Sequence, residues 1–225
     1  MKKALTALVV MMLVFSVSIS CADVYEKPIL FRNLAWQSSY ADVLQELPND
    51  KDTVYDIAAH TYAGGIDYLM KGGERKSRGD CGFRYYSSNY SWTVAGYPLS
   101  KAGVAFVYVP NEDGTLNRDP DSARFFLGEY TIAIHGEEEK QKAVDDLVQK
   151  LTRLYGDVDY TGTPWDTYYS WYGADGTIVS LVDPVASYGK EYEINIRYSY
   201  EDADKLLDQA QAALDYEFSL ITDGL

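Results

Sequence analysis

Residues 167–182 read TYYSWYGADGTIVSLV, two aromatic and β-branched runs on either side of Gly173-Ala174-Asp175-Gly176. Such runs fit a pleated, half-buried surface, and a link this short closes only an antiparallel pair, because a parallel return needs a crossover of about a dozen residues. The hairpin therefore decides the class. Downstream, EYEINIRYSY (191–200) alternates Tyr192, Ile194, Ile196 and Tyr198 with Glu191, Glu193, Asn195 and Arg197, as a strand with one wet face does. Upstream, GEEEKQKAVDDLVQKLTRLYG (136–156) changes period to that of a helix. Three glutamates sit at its positive end, Ala143, Val144, Leu147, Val148, Leu151 and Leu154 form the apolar stripe, and Gly156 supplies a left-handed stop.

The same order recurs in the first half. Ser39 with Asp42 makes a capping box for a short helix carrying Tyr40, Val43, Leu44 and Leu47, which Pro48 ends. GVAFVYVP (103–110) and ARFFLGEYTIAI (123–134) read as a long hairpin across NEDGTLNRDPDS. A closing helix is expected from about residue 201 to 216, with Ala203, Leu206, Leu207, Ala210 and Leu214 on one face and Ser199 with Asp202 as its capping box. KGGERKSRGDCG (71–82) reads as an exposed, locally basic loop. The expected fold is α+β, an antiparallel sheet with helices packed on one face and a C-terminal helix. Residues 23–225 form one such domain, either undivided or as two packed, degenerate helix-plus-meander units of about 23–135 and 136–225.

Ahead of this lies an export signal, residues 1–22: Lys2 and Lys3, an apolar stretch to about Val17, then small residues. The run is shorter than the roughly 20 residues a membrane span needs. Two cuts compete, one after Ala22 and one before Cys21 with lipidation of that cysteine; both place the chain outside the cytoplasm, in the medium or on the cell envelope. Either leaves Cys81 without an intramolecular partner, so the core rather than a disulfide must hold the fold. Removing residues 1–22 takes away two lysines and no acid, leaving 18 basic against 34 acidic side chains, a net charge of −16 where the full chain has −14. A field of that sign argues against nucleic acid and anionic lipid as partners.

The phrases ILFRNLAWQSSYADVLQELP, VAGYPLSKAGVAFVYVP and LVQKLTRLYGDVD followed by WYGADGTIVSLV resemble a group of uncharacterised exported proteins of gut Firmicutes. That resemblance spans most of the chain beyond the signal and implies no catalytic or binding residues. In architecture, a capped helix followed by a meander is similar to the tandem units of β-lactamase inhibitor protein and of the small outer-membrane assembly lipoproteins, which act by binding other proteins.

Chemical motifs are sparse. His60 and His135 belong to no metal or nucleophile pattern, no cofactor fingerprint is present, and the acids of 113–121 and 157–159 fall where turns expect aspartate. The integrin-like tripeptide at Arg78-Gly79-Asp80 and the sequon at Asn89 are short enough to arise by chance. Aromatic residues exceed background, with 21 tyrosines and 4 tryptophans. Trp165, Tyr168, Tyr169, Trp171 and Tyr172 cluster most densely, and strand alternation puts Tyr169 and Trp171 on one face and Tyr168 and Tyr172 on the other. Those five are the candidate binding residues. The expected function is a non-catalytic interaction module that recognises a protein or glycan through an aromatic sheet face. A carbohydrate-binding module and an extracellular hydrolase using paired carboxylates are the alternatives.

Overall fold

The structure, a computed structural model, describes residues 29–46, 66–69, 75–78, 81–87, 92–162, 166–185 and 190–222. The signal segment, Cys21, His60, Asn89, Trp165 and the Leu47-Pro48 helix end lie outside them. Its centre is a seven-stranded sheet of β1 (Gly82–Ser87), β2 (Lys101–Val107), β3 (Arg124–His135), β4 (Asp159–Gly162), β5 (Asp166–Tyr172), β6 (Thr177–Pro184) and β7 (Glu191–Tyr200). The strands lie in the order β4-β5-β6-β7-β3-β2-β1, every neighbour antiparallel. Among the described residues three α-helices accompany it: α1 (Tyr40–Glu46), α2 (Glu137–Tyr155) and α3 (Ala203–Thr222). This is an antiparallel α+β fold.

The two meanders meet in the middle. β3 and β7 pair from His135 opposite Glu191 to Leu127 opposite Ser199, so the seam between the chain's halves is the longest ladder in the sheet. Aligned positions carry Trp171, Val179, Tyr198, Gly128 and Val104 across five strands on one face. α2 covers that face: the Trp171 indole N–H donates to Thr152 Oγ1 at 3.3 Å, and the Tyr155 and Tyr198 hydroxyls meet at 3.5 Å. One buried cluster runs from Val43 of α1 through the sheet to Val144 and Leu147 of α2 and Leu207 of α3.

Residues 29–39 cross the same face before α1 begins. Phe31 inserts over Gly128 with its ring centroid 4.7 Å from that of Tyr130 and 5.7 Å from that of Tyr198. Trp36 stacks between Phe125 and Tyr200. A register shift between Ala105 and Phe106 inserts an extra residue in β3 and lets Phe125 join this aromatic layer.

The helix signals are mostly borne out. Ser39 caps α1, accepting from the Asp42 N–H at 3.2 Å, and the Asp42 carboxylate receives the Ser39 hydroxyl at 2.7 Å. Gly156, at φ 91°, ends α2 with its N–H on Thr152 O. Four expectations need correcting. Leu154 is half exposed, because the last turn of α2 faces the sheet with Thr152 and Tyr155 instead, and the stripe includes Lys140, whose ammonium finds a buried carboxylate. Ser199 does not cap α3; its place in the β6-β7-β3 ladder uses it, opposite Ile178 and Leu127. α3 runs on to Thr222 rather than stopping near Tyr216. Within the basic stretch read as a loop, Arg75–Arg78 pairs with Ile66–Leu69, and a two-stranded ladder is too small to impose a readable alternation of apolar residues.

Candidate functional site

The five sequence candidates end up in different environments. Trp171 is fully buried beneath α2, so its ring packs the core. Tyr168 is also buried, on the opposite face beside Val182, with its hydroxyl 3.3 Å from Asp166 Oδ2. Tyr172 is half-buried near the 173–176 turn. Trp165 lies outside the described residues. Tyr169 is drawn into an aromatic pair with an exposed ring.

Its partner is Tyr160, which the sequence reading did not single out. β4 aligns Tyr160 opposite Tyr169, their ring centroids are 5.5 Å apart at 67°, and Tyr160 is 65% exposed. An edge-to-face pair of this kind holds its outer ring in place without covering it. Among the described residues β4 is the last strand on this side of the sheet, so half of its backbone N–H and C=O groups have no described strand beside them. Burial pushes the Tyr169 hydroxyl pKa up, and the neighbouring charges of Asp183 and Asp145 and the Tyr160 ring push it the same way. The edge therefore combines an exposed ring, an open ladder and a negative surround, since Asp157 and Asp159 are exposed beside it.

Behind the pair lies a buried ion pair. Lys140 Nζ is 2.7 Å from Asp183 Oδ1, with both side chains about nine-tenths buried, and the ammonium also sits 5.4 Å from the centre of the Tyr192 ring. On the opposite face Arg197 Nε donates to Glu129 Oε2 at 2.5 Å. Burial works against ionising Glu129, but the charges of Arg197, Arg84 and Lys101 outweigh it and hold the carboxyl below its usual range. Each buried carboxylate among the described residues is thus neutralised by its own cation. Neither is placed as a free general acid or base.

His135 is largely exposed at the end of β3, 4.0 Å from Glu191. Among the described residues no group of three His, Cys, Asp or Glu side chains is gathered to hold a metal ion. No described helix is long and apolar enough to cross a membrane.

Geometry and topology define an antiparallel α+β protein with an exposed aromatic pair at the β4 edge. No family model, no curated protein and no solved structure matches the chain.

Proposed function

We propose that this protein is an exported, non-catalytic interaction module that binds a protein partner along β4, with Tyr160 as the anchor and Tyr169 as its support. The observation that carries the reading is the coincidence of a 65%-exposed tyrosine with an unpaired strand edge. An extended segment of another protein satisfies both, adding main-chain hydrogen bonds to the ladder while covering the ring. A glycan covers the ring alone. The signal-like residues 1–22 support export, and the neutralisation of Glu129 and Asp183 supports a role without catalysis.

The test is a photo-crosslinking amino acid at position 160, compared with one at the exposed Glu138 of α2, in protein expressed in its own host. A discrete protein adduct from position 160 and none from 138 is the expected result. Loss of binding by about tenfold for Tyr160→Ala, measured with the captured partner, would follow. Adducts of equal yield from both positions, or a glycan array signal lost in Tyr160→Ala without any protein adduct, would overturn it.

A further inference from the structure

α3 buries Ala203, Leu207, Ala210 and Leu214, a rhythm of four, three and four residues that keeps one stripe against the core. The rhythm does not stop where burial stops. Four and then three residues further on stand Phe218 and Ile221, on the same stripe, 57% and 65% exposed.

The support ends at a definite place. The hairpin of Val109–Pro110 and Leu116–Asn117 packs against α3, the Tyr216 ring rests beside Gly114, and the Glu217 carboxylate accepts the Leu116 N–H at 2.7 Å. Arg118 grips the same carboxylate with two N–H groups, at 2.9 and 2.6 Å. Beyond Glu217 nothing in the described sheet reaches the stripe. The overhang is nonetheless finished as helix, because Ser219 donates to Tyr216 O and Thr222 to Phe218 O and Ser219 O.

Charge selects the occupant. From residue 206 to 225 the chain holds four acids, Asp208, Asp215, Glu217 and Asp223, and no lysine or arginine; Glu217 is already matched by Arg118, which leaves the exposed Asp215 as the acid flanking Phe218. A second copy would set acid against acid, and an anionic lipid surface would be repelled by a chain of net charge −14. We propose that the last turns of α3 are a docking surface for a basic amphipathic helix of a protein partner, whose apolar side covers Phe218 and Ile221 while its cations lie near the exposed Asp215. Pairing two apolar helix stripes with opposite charges at their margins is an established mode of helix recognition.

The probe is an 18-residue peptide of leucine and lysine with leucines at helical spacing, labelled and titrated with the full-length protein at physiological salt by fluorescence anisotropy. Saturable one-to-one binding is expected. It weakens at least tenfold in the double variant Phe218→Ser with Ile221→Ser, and is unchanged in Tyr160→Ala, which separates this surface from the β4 edge. Both substituted residues are exposed, so the circular dichroism and melting temperature of the double variant should match the parent. Equal binding by the double variant would reduce the attraction to general acidity and overturn the proposal. So would an absence of binding, equal binding of a leucine–glutamate peptide, a concentration-dependent dimer in sedimentation that the double variant loses, or flotation with phosphatidylglycerol vesicles.

Discussion

Gly128 has no side chain because Phe31 stands where one would be: a Cβ built there overlaps the ring itself. The requirement comes from the ring above, since Gly128 sits in mid-strand with no turn to form. Gly128→Ala should destabilise the protein by roughly 1–3 kcal/mol or more through overpacking, and Phe31→Ala by roughly 3–5 kcal/mol through the cavity it leaves. The two residues share one volume, so their effects should not add. Urea unfolding of both single variants and of Gly128→Ala with Phe31→Ala makes the check: a double variant as unstable as the sum would show that the two are not in competition for space. Nothing in the sequence announced this contact, because Phe31 lies 97 residues before Gly128 and reads as an apolar residue in a loop.

Among the elements, the β5–β6 turn does more than reverse the chain. Gly176 adopts φ 79°, as the turn requires, and the Asp175 carboxylate accepts the Thr177 N–H at 3.1 Å and the Ile29 N–H at 3.1 Å. Thr177 Oγ1 then donates to Ile29 O and accepts from the Trp36 indole. The turn is thereby a clasp for residues 29–36. Asp175→Ala should cost about 1.5–3 kcal/mol, the scale of hydrogen bonds to a charged group. Hydrogen exchange locates the loss: protection should fall at Ile29 and Phe31 while the amides of α2 keep theirs, and a uniform fall would show that the clasp serves the whole fold equally.

Elements were legible in proportion to how strongly burial marks their sequence. The hairpin at 173–176, α2 and the alternating β7 all carry their partner's imprint in one dimension. β4 does not, for three of its four residues are exposed and DYTG has no apolar period to read. The site followed the same rule. Crowding of aromatics at 165–172 marks the inner strand of the edge, where rings pack, whereas the exposed Tyr160 belongs to an acidic, turn-like phrase. A cue was available in its spacing, since Tyr160 follows the helix stop at Gly156 by four residues and precedes a strand by six.

On the scale of the whole molecule, an acidic chain keeps its few buried charges in matched pairs, and acid is its natural denaturant. Glu129 has its pKa held below the ordinary 4.5, so it contributes stability that is fully present above that value and is lost as pH falls through the lower folded-state value. Asp146 and Glu217, lowered by Lys150 and Arg118 respectively, add smaller exposed contributions of the same sign. The melting temperature should therefore be level from about pH 5 to 7 and fall below about 4.5. Glu129→Gln should lower it at pH 7, by removing the charge that Arg197 is paired with, and should flatten the acid limb. An acid limb as steep in the variant as in the parent would assign the transition to other carboxylates.

The central seam also sets an order of events. His135 waits 56 residues for Glu191, and Leu127 waits 72 for Ser199, while the Ile29 amide waits 146 for Asp175. Loops of that length close slowly, and until β7 is available the first meander has a bare edge where its longest ladder belongs. Completion of the sheet is consequently a late event, possible only once nearly all of the chain is present on one side. A nascent chain with that property stays threadable for most of its synthesis, which suits the export proposed above.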